Sequence, residues 1–126
     1  MDLDIKNRVF LVTAASKGLG FSVTKSLIDE GARAIICSRN EESLKKATRL
    51  LGKNSSYYVV DLSKKDDVQE LLDSITKKFG RLDGLFVNAG GPPPGPFSRL
   101  TDEDWRKAFE LTLMSAVWLT RESLSL

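Results

Sequence analysis

Four times along the chain a short apolar run gives way to a stretch with helical spacing, and this alternation limits the possible folds more than any other feature. "RVFLVT" (Arg8–Thr13), "RAIICS" (Arg33–Ser38), "SYYVVDL" (Ser56–Leu62) and "GLFVNAG" (Gly84–Gly90) are short and rich in apolar residues. A strand wetted on one face alternates apolar with polar residues, whereas a strand covered on both faces reads as a nearly continuous apolar run. Between the runs, Leu19, Val23, Leu27 and Ile28 recur at helical intervals from Lys17 to Glu30, and Gly31 supplies a stop. Asn40 suits the cap of a helix that buries Leu44, Ala47 and Leu51 before Gly52. Ser63 is expected to cap a helix from Lys64 to Phe79, with Val68, Leu71, Leu72 and Ile75 inward and Gly80 behind it. Thr101 opens "TDEDW", whose hydroxyl and acids favour the start of a last helix running to the chain's end. The pattern predicts an α/β fold: a doubly wound parallel sheet in three layers, with strand order 3-2-1-4 because crossovers are right-handed.

Composition removes several classes of function. Nineteen Lys and Arg stand against 17 Asp and Glu, and the two signs are interspersed, so no nucleic-acid partner is expected. No apolar stretch approaches the roughly 18 residues of a membrane span, and "MDLDIKNR" lacks the apolar centre of a signal peptide. The single cysteine, Cys37, lies in an apolar run and reads as a buried reduced thiol of a cytoplasmic protein. The absence of histidine excludes imidazole catalysis and, with one cysteine, argues against a zinc site.

Between the first strand and the first helix lies "VTAASKGLG". At this position the free amides and positive end of a helix form an anion site, and Gly18 and Gly20 let a pyrophosphate approach the main chain. The plainer alternative is a tight strand-to-helix turn. After the second strand, Ser38 and Arg39 stand where an acid would otherwise hold the adenosine ribose, and Lys17 adds a cation at the same corner. That replacement favours a 2′-phosphate, hence NADP over NAD, unless both charges are simply solvated surface. Asp61, directly after the third run, either contacts an adenine amino group beside the Leu62 main chain or caps the next helix. Asn88, at the carboxyl end of the fourth run, falls where the strand order reverses and ligands bind; it also suits a tie between neighbouring main chains.

Thr13…Gly18-Leu19-Gly20, Asp61-Leu62 and Asn88-Ala89-Gly90 together resemble the N-terminal, cofactor-binding half of the short-chain dehydrogenase/reductase family, with 3-oxoacyl-carrier-protein reductase or sugar dehydrogenase types most similar in "NAGGPPPG". The resemblance spans essentially the whole chain. It implies a Rossmann-like domain over residues 1–126 that ends within its fourth helix and binds a nicotinamide dinucleotide. Thr13, Ser16, Lys17, Gly18, Leu19 and Gly20 would form the pyrophosphate loop, Asp61 would meet the adenine, and Asn88, Ala89 and Gly90 would line the nicotinamide side. The full-length family transfers hydride between carbonyl and alcohol.

The departures from that pattern are specific. Ala14 replaces the motif's first glycine, which is tolerable if its φ is negative. Thr112 stands seven residues after Trp105, where the family usually has an asparagine. The family's Tyr-x-x-x-Lys is not among these residues: Asp61 and Leu62 follow Tyr57 and Tyr58 at that interval. No catalytic residue is therefore assigned, and the 126 residues are expected to be inactive alone, as either a truncation or a natural short protein. On the last helix, Trp105, Ala108, Phe109, Leu113, Ala116 and Val117 are expected to cover the sheet. Leu111, Met114 and Trp118 form a second row, available with the fourth-strand edge for a homo-oligomer or else covered core. The rival function is a non-catalytic assembly module that has lost the cofactor.

Overall fold

The computed structural model describes residues 2–126. Its sheet contains β1 (Val9–Thr13), β2 (Arg33–Ser38), β3 (Ser55–Val59) and β4 (Gly84–Phe86), all parallel and in the order β3-β2-β1-β4 expected from the sequence. Successive residues of each strand enter opposite layers. Leu11, Ile35 and Cys37 pack with α3 (Lys65–Phe79) and with Trp118 and Leu119 of α5 (Ser115–Ser123). Val12 and Ile36 pack with Leu44, Ala47 and Leu51 of α2 (Glu41–Leu51), and α1 (Gly18–Asp29) adds Phe21, Leu27 and Ile28. Each fully buried leucine or isoleucine contributes about 1.5–3 kcal/mol, so both layers are needed to hold the central strands.

Several local expectations give way to tertiary structure. The third strand stops at Val59 and is half-exposed, because it forms a sheet edge; Val60 and Leu62 are buried beyond it. The fourth strand ends at Phe86 rather than Gly90. Lys64, not Ser63, occupies the N-cap position of α3, because the amide and hydroxyl of Ser63 both donate to Asp61 Oδ1. Asn40 does cap α2, its side chain accepting the Ser43 amide at 3.0 Å, and Thr101 with Asp104 forms a reciprocal capping box at α4 (Asp102–Phe109).

Between α4 and α5 the helix widens into a π-turn over Glu110–Met114. The Thr112 hydroxyl donates to the Ala108 carbonyl at 2.6 Å and the Ser115 hydroxyl to Leu111 at 2.5 Å, serving carbonyls around the widened turn. The helix ends at Ser123, three residues before the end of the sequence. Of the row expected on the sheet, Ala108 and Ala116 are half-buried but the four large residues are not covered. Trp118 is only 8% exposed, Met114 packs on the core, and Leu111 is half-buried. Trp105, Phe109, Leu113 and Val117 are instead 53%, 52%, 50% and 39% exposed. The row of Met114, Trp118 and Leu119 is the one that meets the core shared with α3, so a larger aromatic count on the other row did not decide which side is covered. Met114 and Trp118 thus belong to covered core, the second of the two readings of this row, while Leu111 is half-buried.

Candidate functional site

At the carboxyl end of β1 the chain turns through Ala14 in the left-handed region, with φ of 49°, and then through Gly18 at 63°. Ala14 therefore does not keep the negative φ expected of a residue replacing glycine. The left-handed conformation costs an alanine about 1 kcal/mol. Gly20 serves a different need: a Cβ there would lie 2.7 Å from the Ala14 carbonyl oxygen and 2.8 Å from Ala15 Cα. The turn folds back onto the start of α1, and only a residue without a side chain fits between them. No side chain caps α1 and its first turn carries no acid, so the positive end of the helix remains available to an anion.

Thr13 and Asn88 join the ends of β1 and β4. The Thr13 hydroxyl donates to the Asn88 carbonyl at 2.5 Å and accepts the Asn88 amide at 2.7 Å, while Asn88 Nδ2 donates to the Ala14 carbonyl at 3.2 Å. Thr13 is fully buried in this clamp. Asn88 supports the strained turn and also lines a crevice of about 430 Å³ above the sheet. Ser16, Lys17, Ser38, Arg39, Asp61 and Leu62 line the same crevice, as do Ala89 and Gly90. Gly18, Leu19 and Gly20 shape the turn beside it, with Leu19 exposed, but do not line it. Asn40, Ser43, Gly91, Leu111 and Ala14 itself also line the crevice, and the sequence reading missed them as site residues. Ser43 had a usable signal: it is the third residue past the Asn40 cap, on the helix turn facing the Ser38-Arg39 corner.

The crevice is electrostatically uneven. Among the described residues, neither Lys17 nor Arg39 has a carboxylate within ion-pair distance. The acids nearest in sequence are engaged elsewhere. Glu41 meets Lys45 at 3.7 Å and accepts the Tyr57 hydroxyl at 3.2 Å, and Glu42 meets Lys45 at 3.9 Å. Asp61 is partly committed, since its Oδ1 accepts the Ser63 hydroxyl at 2.6 Å and amide at 3.0 Å. Burial alone would push its carboxyl up, but these Ser63 bonds, with Arg39 and Lys64 nearby, hold it below the ordinary aspartate range. Asp61 therefore shapes the turn before α3 as well as facing the crevice.

No tyrosine is placed for proton donation. Tyr57 and Tyr58 lie on the edge strand away from the crevice, and burial raises both phenols, with Glu41 raising Tyr57 further. The Thr112 hydroxyl is spent on the Ala108 carbonyl. Burial pushes the Cys37 thiol up to about 12, which leaves it unreactive. Among the described residues no group of His, Cys, Asp and Glu is arranged to hold a metal, and no helix is long and apolar enough to cross a membrane. A smaller cavity of about 240 Å³, between β3 and α3, has Asp67 and Glu70 on its walls and no cation.

Residues 8–126 match the family described as short chain dehydrogenase. An uncharacterized oxidoreductase of Bacillus subtilis, YvrD, is 32% identical over 126 aligned positions, which cover 98% of this chain and 48% of that protein. L-sorbose reductase from Gluconobacter frateurii, solved with NADPH and L-sorbose, superposes with a TM-score of 0.93 at 29% identity, over 99% of this chain and 49% of that one. A variant of actinorhodin polyketide ketoreductase solved with NADPH gives 0.87 at 30% identity, over 94% and 46% of the two chains. The chain thus spans about half the length of the relatives it matches. With its parallel 3-2-1-4 sheet, glycine turn and Asn88 clamp, this chain belongs to the short chain dehydrogenase family.

Proposed function

We propose that residues 1–126 act as one nicotinamide-dinucleotide-binding unit of an oxidoreductase, with NADP preferred over NAD. The observation that carries this reading is a crevice joining the open start of α1 to a corner where, among the described residues, Lys17 and Arg39 make no ion pair, with Asp61 the acid near Arg39. The turn from Thr13 through Ser16 to Gly18, Leu19 and Gly20 would receive the pyrophosphate. Lys17 and Arg39 would receive the 2′-phosphate. Asp61 retains Oδ2 for the adenine amino group, beside the Leu62 main chain, and Asn88, Ala89 and Gly90 would border the inner ribose and nicotinamide. NADPH in both solved relatives supports the cofactor class.

When bound, the nicotinamide supplies or accepts the hydride in carbonyl–alcohol interconversion. The residues present orient it but offer no placed proton donor, so the 126-residue chain binds without turnover. Calorimetric titration with NADP and NAD tests the reading. Saturable binding with NADP at least tenfold tighter is expected, and binding of neither overturns it. That second result favours the assembly-module alternative. Oxidation of NADPH by simple ketones with the purified chain would contradict inactivity. A cytoplasmic location accords with the reduced, buried Cys37.

One observation favours self-association as well. Trp105, Phe109, Leu113 and Val117 recur at four-residue intervals along one exposed side, extended by Phe97, whose ring meets Trp105 edge-on at 6.2 Å. Sedimentation of the chain and of Phe109→Glu tests it: an assembly in the first that is lost in the second is expected.

A further inference from the structure

The positive corner of the crevice contains a third group with no assigned role. Ser38, the hydroxyl that its sequence position would nominate for a phosphate, is turned into its own loop. Its Oγ accepts the Asn40 amide at 3.3 Å and donates to the Asn40 carbonyl at 3.4 Å. Ser43 differs. Its main-chain amide is held by Asn40 Oδ1 at 3.0 Å, which fixes the residue in the first turn of α2, while its hydroxyl has no hydrogen bond among the described residues. It lines the same crevice as Lys17 and Arg39. Glu41 and Glu42, which would repel an anion there, are drawn to Lys45 and Tyr57.

We infer that Ser43 is a specificity-determining residue, its hydroxyl donating to a phosphomonoester on the adenosine 2′-position between Lys17 and Arg39. This rests on the dinucleotide reading above. The chemistry is selective: a phosphomonoester offers three acceptor oxygens and up to two charges, whereas the free 2′-hydroxyl of NAD offers one uncharged acceptor oxygen, to which two cations and a hydroxyl bond more weakly. A neutral donor lining the same crevice as two cations adds a hydrogen bond without adding repulsion among them.

The test compares the wild-type chain with Ser43→Ala and Ser43→Asp, titrated calorimetrically with NADP, NAD and 2′,5′-ADP at one fixed salt concentration. Both substitutions preserve the main-chain amide bonded to Asn40, and an acid in a helix's first turn is favourable, so melting temperatures should stay close to wild type. Ser43→Ala is expected to weaken NADP and 2′,5′-ADP about tenfold and leave NAD unchanged. Ser43→Asp is expected to weaken them about a hundredfold by placing an anion against the phosphate, again sparing NAD. If the wild-type chain binds NADP and NAD but Ser43→Ala weakens neither, or both equally, the role of Ser43 is overturned while the cofactor reading stands. If the wild-type chain binds no nucleotide, both are overturned.

Discussion

The two ends of the same four-stranded sheet treat charge and backbone in opposite ways. At the amino end, Arg81 grips Asp83 through two bonds of 2.6 and 2.8 Å, and Asp83 Oδ2 accepts the Val9 amide at 2.8 Å. The Asp83 amide returns a bond to the Val9 carbonyl at 2.7 Å, and Arg33 is tied to Arg8 through the main chain at 2.8 Å. Charged groups there serve the strands. At the carboxyl end, Lys17 and Arg39 make no ion pair among the described residues, a helix start is uncapped, and Ala14 is held in a conformation alanine disfavours. Left-handed backbone occurs at both ends, at Asp4 and Asn7 as well as Ala14, but Asp and Asn adopt it more readily than alanine. Only the carboxyl end joins a left-handed alanine to an uncapped helix start and to cations without an ion pair, which supports a ligand there.

Substitutions at the two ends should therefore separate stability from binding. The largest effect is expected from Gly20→Val, which forces a side chain into the Ala14–Ala15 backbone. Urea unfolding should show a loss of about 2–3 kcal/mol, with nucleotide binding lost as the turn is displaced. Asp83→Ala at the other end should cost about 1–2 kcal/mol by freeing the Val9 amide and Arg81, yet leave nucleotide affinity per folded molecule unchanged.

That second cost should depend on pH in one direction. The Arg81 bond first, then the Val9 amide, holds the Asp83 carboxyl below its ordinary value. A group lowered on folding contributes stability fully above its unfolded pKa, about 3.9 for aspartate, and loses it as the pH falls through the folded value. The gap between wild type and Asp83→Ala should be full at neutral pH and close in acid.

Lys17→Ala and Arg39→Ala sharpen the contrast from the ligand side. Each should weaken NADP about tenfold, an effect reduced by added salt, with unfolding free energy within about 0.5 kcal/mol of wild type. The smallest effect belongs to Ala14→Gly. Removing the left-handed penalty should stabilise the chain by no more than about 0.5 kcal/mol, after the extra freedom of glycine in the unfolded state is offset.

The sheet and its strand order were legible because continuous apolar runs such as "AIIC" leave few alternatives to a strand covered on both faces. The positive corner was legible for a similar reason: Arg39 follows immediately on β2 and Lys17 lies in the turn after β1, and those strands are parallel neighbours. What the sequence concealed depends on local competition between hydrogen bonds. Ser63 resembles an N-cap, but Asp61 two residues earlier offers it a charged acceptor, so the helix begins one residue later than expected. Ser38 resembles a phosphate ligand until Asn40 engages it. The last helix misled for a different reason, because both of its rows are apolar and only contact with α3 selects the one containing Trp118. Ala14 at a glycine position suggests a negative φ, whereas the residue adopts a positive φ with its carbonyl accepting from Asn88 Nδ2.

The most direct measurement of the difference between the two ends is the amide NMR spectrum of the labelled chain as NADP is added. Large shifts are expected at Ser16, Lys17, Gly18, Leu19 and Gly20 and at Arg39, with Val9 and Asp83 unmoved. Saturable binding that leaves the Ser16–Gly20 amides in place, or moves only the exposed row from Trp105 to Val117, would contradict the assignment of the nucleotide to the carboxyl end.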